Sequence, residues 1–299
     1  MFNKNLFAIT IFISSFLLFL VQPIIAKQIL PWFGGTSAVW TTCLTFFQVA
    51  LLLGYMYSDW IQRFSPKKQG IFHCVVICVS LIFLPIIANP DWKPINSEEP
   101  IIHILGLLFF TIGLPYFVLS TTGPLLQSWF ARENKFSEES KKTYRLFALS
   151  NLASIIGLLM YPFAIETWIT LSAQAITWSI FYFLFAVFAI LTALRVVRSN
   201  ALSQSSSTLI PEAIEEKLDR VVIGRQDKFL WIFLPFIATS LLLAISNHIT
   251  QNIASIPFLW VFPLTLYLLT FVVVFEGRGG RGWYERPLVL IVVLIFTAM

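Results

Sequence analysis

Leu6–Ala26 reads LFAITIFISSFLLFLVQPIIA, 21 residues without a charge, and Lys27 follows at once. As a helix rising 1.5 Å per residue this run covers about 32 Å, enough to span the hydrocarbon core of a bilayer. Its place at the start of the chain invites a signal-peptide reading, but no small-x-small pattern closes it and the apolar stretch is too long. We therefore expect an uncleaved first membrane helix. Eight more apolar runs follow: Val39–Tyr57, Gly70–Ala88, Ile101–Leu126, Leu146–Ile165, Ile169–Leu194, Phe229–Ser246, Ile256–Phe275 and Leu288–Met299. The last makes only about 18 Å of helix, too little to cross. The expected fold is all-α, with eight complete transmembrane helices plus a partial ninth, in a chain that is one piece of a longer product.

Assigning alternate loops to alternate faces sorts the charges. Of 20 Lys and Arg residues, 18 fall at Lys4 and in the loops Arg63–Lys68, Arg132–Arg145, Arg195–Lys228 and Arg278–Arg286; the opposite loops hold Lys27 and Lys93. The excess of basic residues on cytoplasmic loops then places the N-terminus inside a bacterial-type plasma membrane. Acidic residues divide 11 to 4, so the net charge of +5 becomes +7 inside and −2 outside. The basic balance is therefore a topology signal and gives no reason to expect nucleic acid as a partner. With 58% hydrophobic and 12% charged residues, a soluble domain is excluded and lipid is the first partner. Cys43, Cys74 and Cys78 all lie inside apolar runs and form no CxxC pair, so neither a disulfide framework nor a zinc site is indicated.

The longest polar break, Arg195–Lys228, divides the chain into a six-helix bundle over 1–194, a cytoplasmic loop over 195–228 and the start of a second transmembrane part over 229–299. Within the break Pro211 can open an amphipathic helix, with Ala213, Ile214, Leu218, Val221 and Val222 on one face and Glu212, Glu215, Glu216 and Asp219 on the other. After it the chain starts again. Displaced by 224 positions, Lys27, Gln28 and Ile29 fall on Gln251, Asn252 and Ile253; after a four-residue gap, Trp40, Leu44, Thr45 and Phe47 fall on Trp260, Leu264, Thr265 and Tyr267. Six-helix parts joined by a central cytoplasmic loop are the layout of major facilitator transporters, whose halves are parallel repeats. Gly54, Asp59 and Arg63, with Lys67 and Lys68, resemble the signature that follows the second helix of those transporters. The Gly to Asp spacing is one residue longer, Trp60 stands where a basic residue is expected, and no second Gly follows.

Five stretches carry a closer resemblance: Val21-Gln-Pro-Ile-Ile-Ala-Lys-Gln-Ile-Leu-Pro-Trp-Phe-Gly-Gly35; Ala38-Val-Trp40, Cys43, Phe46-Phe-Gln48 and Leu51-Leu-Leu-Gly-Tyr55; Thr121-Thr-Gly-Pro-Leu-Leu-Gln-Ser-Trp129; Tyr144-Arg-Leu-Phe-Ala-Leu-Ser-Asn151; and Phe258-Leu-Trp-Val-Phe-Pro-Leu-Thr-Leu-Tyr267. Together they resemble the membrane part of the membrane-embedded spermidine-synthase-like proteins. That likeness implies a major-facilitator-like bundle serving a downstream aminopropyl-transferring domain or subunit. No unit of that catalytic type occurs in this chain, so no catalysis of its own and no cofactor are expected. Gly277-Arg-Gly-Gly-Arg-Gly282 matches G-x-G-x-x-G by letter, but the run before it is long enough for a membrane helix, and Trp283–Pro287 does not open a dinucleotide-type helix.

Polar groups inside apolar runs are the candidate functional residues, since each must find a partner in the bundle or line a wet cavity. Gln22 and Lys27 flank Pro23, where a missing backbone donor predicts a break in the first helix; Lys27 alternatively snorkels to the headgroups. Gln48, Gln127 and Asn151 either line a central path or tie neighbouring helices together. Asn247, Gln251 and Asn252, with His248, form an uncharged polar loop that the suspected repeat sets opposite Lys27 and Gln28 as an outer gate. Glu166 is a solvated interfacial acid or a proton-coupling one. His73 and His103 have no second ligand at metal spacing. Two functional classes follow: a membrane module of a spermidine-synthase-like protein, or a transporter of a small polar or cationic solute such as a polyamine.

Overall fold

The computed structural model describes residues 2–93, 100–133, 143–206, 224–252 and 257–275. Those residues are helical almost throughout, and seven helices among them are long and apolar enough to cross a membrane. In chain order they are α1 (Phe2–Phe33), α2 (Ser37–Ile61), α3 (Pro66–Ser80), α4 (Pro100–Leu108), α5 (Leu114–Glu133), α6 (Thr143–Met160), the short α7 (Glu166–Trp168), α8 (Leu171–Ser206), α9 (Arg225–Asn252) and α10 (Pro257–Phe275). A π-helical turn over Phe109–Gly113 joins α4 to α5 as one crossing, and another over Tyr161–Ile165, containing Pro162, joins α6 to α7. The eighth expected crossing corresponds to α10, whose counted apolar stretch, Val261–Phe275, is shorter. The ninth run and the amphipathic segment after Pro211 lie outside the described residues.

α1 is the hub. It packs on α6, α8 and α5, while α2 packs on α5 and α4, α3 on α8, and α10 on α6. Leu17, Val21, Ile24, Ile25 and Ile29 of α1 are completely or almost completely buried and anchor the largest core cluster. α9 rests on α10 with only a light contact to α2, and none of its described side chains is buried.

Two expectations need correction. α1 runs unbroken through Pro23 and Pro31. A proline removes one donor from the ladder, and a membrane helix with neighbours on several sides tolerates that loss. The helix ends at Gly34, whose φ of +82° suits glycine alone and whose N–H bonds Leu30 O at 2.8 Å. The second correction concerns the Gly70–Ala88 run, whose α-helix stops at Ser80 and, after a 3₁₀ turn over Leu81–Phe83, leaves helical geometry at Leu84. Pro85 disfavours helix in the residue before it. The backbone beyond is buried at Ile86 and Ala88, and side chains replace its lost partners. Gln28 Nε2 donates to Ile86 O at 3.2 Å, Gln28 Oε1 accepts from Ala88 N at 2.9 Å, and Ser179 Oγ accepts from Ile86 N at 3.2 Å. α8 runs beyond Leu194, the end of the sixth apolar run, to Ser206; that stretch contains neither Gly nor Pro to stop it.

Candidate binding cavity

A cavity of about 530 Å³ lies between α1, α2, α5, α6, α9 and α10. Six helices face it, five of them with one stripe at i, i+3, i+4 and i+7: Ser15, Leu18, Phe19 and Gln22 of α1; Leu44, Phe47, Gln48 and Leu51 of α2; Phe147, Ser150, Asn151 and Ser154 of α6; Thr239, Leu242, Leu243 and Ser246 of α9; Leu264, Tyr267, Leu268 and Phe271 of α10. That spacing is one face of an α-helix. α5 contributes Tyr116, Ser120, Gly123 and Gln127, and α2 adds Tyr55 one turn beyond Leu51.

The stripes obey the displacement seen in the sequence. Adding 224 carries Ser15, Leu18, Phe19 and Gln22 onto Thr239, Leu242, Leu243 and Ser246, which is the whole α9 stripe. Adding 220, the displacement after the four-residue gap, carries Leu44, Phe47, Gln48 and Leu51 onto Leu264, Tyr267, Leu268 and Phe271, the whole α10 stripe. Of these eight pairs, only Leu44 with Leu264 and Phe47 with Tyr267 belong to the repeat as first read from the sequence.

Four of the residues singled out from sequence meet here: Gln22, Gln48, Gln127 and Asn151. Gln22 donates through Nε2 to Tyr116 Oη at 3.2 Å, joining α1 to α5. Asn151 Nδ2 donates to Phe147 O of its own helix at 2.8 Å. Gln48 and Gln127 make no hydrogen bond to the described residues. Among the described residues, none of the last three hydrogen-bonds a neighbouring helix. Among the described residues the lining has no Asp, Glu, Lys, Arg or His.

The other candidates lie elsewhere. Lys27 Nζ forms an ion pair with Glu166 Oε1, each side chain about two-fifths exposed, clipping α1 to α7 at one end of the bundle. Such an exposed pair contributes about 0–1 kcal/mol. Lys93 is held over the Trp32 ring, 5.1 Å from its centroid. Asn247 and Asn252 are exposed on the last turns of α9, so the expected polar loop is helix there; Asn252 Nδ2 bonds His248 O at 2.9 Å. The Gln251 side chain lies outside the described residues. Gly54 is buried where α2 meets α5: a Cβ on it would run into the Ser120 side chain and stand 3.2 Å from the Ser120 carbonyl carbon. Asp59 and Arg63 are both exposed.

Sequence reading missed the hydroxyl and phenol members, chiefly Ser15, Tyr116, Thr239, Ser246 and Tyr267. A usable signal was present, because Ser15 and Gln22 stand seven residues apart on one helical face and recur as Thr239 and Ser246 at the repeat displacement. The chain matches no family model, no curated protein and no solved structure.

Proposed function

We propose that this chain is the membrane bundle of a major-facilitator-like protein, without catalysis of its own, whose central cavity receives a small solute. In this reading 1–194 form a six-helix unit, 195–228 a cytoplasmic loop and 229–299 the start of a second unit, with the basic end of the bundle inside the cell. The observation that carries it is the register match: the cavity-facing stripes of α1 and α2 recur, at two fixed displacements, as the cavity-facing stripes of α9 and α10. An internal duplication that meets around one cavity is how repeat-built transporters make a solute site.

The second reading, a membrane module of a spermidine-synthase-like protein, is favoured by a different observation. Each of the five stretches that resemble that family supplies cavity-facing residues: Gln22, Gln48, Gln127, Asn151 and Tyr267 are one from each. A native product heavier than 34.1 kDa and carrying aminopropyl-transfer activity would select this reading.

Cysteine accessibility tests the shared core of both. In a protein with Cys43, Cys74 and Cys78 replaced by Ala, Ser150→Cys and Thr239→Cys, both half-buried in the lining, are expected to react with N-ethylmaleimide in membranes. Ser14→Cys is expected to stay unreactive, because Ser14 is buried on the packed side of α1 with its hydroxyl on Leu119 O. Equal protection of all three would remove the cavity as a wetted site. Orientation is read with a membrane-impermeant maleimide on intact cells: Asn96→Cys and Asn252→Cys should label and Ser206→Cys should not, and the reverse pattern would invert the topology.

A further inference from the structure

We infer that the ligand of this cavity is an uncharged molecule with an apolar or aromatic body and hydrogen-bonding groups at both ends, and that the pairs Ser15/Thr239 and Gln22/Ser246 select it. The inference rests on the reading of the cavity as a solute site and adds the chemical class.

Charge decides first. Taking an ammonium or a carboxylate out of water costs several kcal/mol per ion unless an opposite charge receives it. The described lining offers neither sign, and Lys27 and Glu166 lie outside it and are spent on each other. A polyamine would therefore enter with each ammonium unpaired. Size and surface decide next. A volume of about 530 Å³ lies within the range of pockets that bury a drug-sized molecule. The apolar part of the lining includes Phe19, Phe47, Phe147 and Phe271, whose ring faces suit a planar or aliphatic body.

The polar groups then fix the ends. Along α5, Tyr116 and Gln127 are separated by about 16 Å at 1.5 Å per residue. The Gln22–Tyr116 bond marks one end, with Ser246 as the repeat equivalent of Gln22. Gln127 and Asn151 mark the other. Amides and hydroxyls both donate and accept, so they receive carbonyl, hydroxyl or amide groups without a charge. Ser15 and Thr239, equivalent in the repeat, place a hydroxyl from each unit between the two ends.

The test is protection of Ser150→Cys from N-ethylmaleimide in the full chain, cysteine-free elsewhere and reconstituted in lipid nanodiscs. Ubiquinone-1 and 1,12-dodecanediol serve as uncharged probes, spermidine as a polycation, tetraphenylphosphonium as a delocalised cation and laurate as an anion. Protection is expected from at least one uncharged probe and from none of the charged ones, with an apparent affinity about tenfold weaker in Gln22→Leu and in the double variant Ser15→Ala/Thr239→Val. Protection by spermidine, tetraphenylphosphonium or laurate would overturn the class while leaving the cavity a ligand site. Protection by an uncharged probe that survives both variants would reduce it to partition into an apolar space and also overturn the proposal, as would labelling that no probe slows. If Ser150→Cys fails to label even without probe, the cavity reading itself falls.

Discussion

A chain carrying Gly157→Val is expected to yield little folded protein, and what folds should melt well below the parent. Gly157 lies on α6 against α1, and a Cβ there would stand 2.6 Å from Phe16 O and 3.4 Å from Phe16 Cα. Those are backbone atoms of another helix, so no side-chain rotation relieves the contact and the helices must part. Small residues let membrane helices approach because dispersion at close range, rather than the hydrophobic effect, holds them together. The α1–α6 pair is the most extensive in the bundle, so separation costs more than local overpacking, which by itself runs to about 1–3 kcal/mol. Gly157→Ala should move in the same direction by a smaller amount. Gly123→Ala is the matched control, because nothing lies within 4 Å of its added Cβ and alanine suits a helix better than glycine by about 1 kcal/mol. Apparent melting temperature in detergent, with yield from the membrane fraction, reads all three. A Gly157→Val protein that melts with the parent would contradict the packing described for α1 and α6.

That glycine also shows where sequence reading stopped. Crossing segments were legible because length and lack of charge are the bilayer's own demands, and alternating basic loops ordered the ends. Which face of a helix meets lipid was not legible. Leu52 is 59% exposed and Leu119 2% exposed, yet both are leucines inside apolar runs, and lipid chains are as apolar as a protein interior. Helix ends failed for a related reason: an apolar run such as Gly70–Ala88 records where the chain is dry, and the Gln28 and Ser179 side chains let dry backbone leave the helix at Leu84. The four amides were legible as polar residues in dry runs. Their convergence was not, because it depends on the rotation of each helix about its axis. The register match supplies that rotation for α1, α2, α9 and α10, and it existed in the sequence as an offset whose meaning required a cavity to reveal.

The turn between α2 and α3 separates a resemblance by letter from the residues that hold the structure. Asp59 and Arg63, which echo a transporter signature, are exposed, and substitutions such as Asp59→Asn and Arg63→Gln are expected to shift stability by no more than about 0.5 kcal/mol. Gln69, absent from that signature, is fully buried on the first turns of α3. Its Oε1 accepts from Trp129 Nε1 of α5 at 2.8 Å, and its Nε2 donates to Phe64 O at 2.7 Å and to Gln62 O at 3.4 Å. Gln62 Oε1 in turn accepts from Ser128 Oγ at 2.7 Å, and the Trp129 ring stands edge-on to His73. One amide thus fixes the turn to α5 and sets the height of α3 beside α2. Replacing Gln69 by Leu leaves the Trp129 indole N–H buried without an acceptor, which costs about 1–3 kcal/mol, and frees the Phe64 carbonyl from its tie. Gln69→Leu should therefore lower the apparent melting temperature clearly while Asp59→Asn and Arg63→Gln leave it in place. The Gln69→Leu, Trp129→Phe double variant should recover part of the loss, since both partners are then apolar. If the signature variants destabilise and Gln69→Leu does not, the turn is held by charge and the network drawn here is wrong.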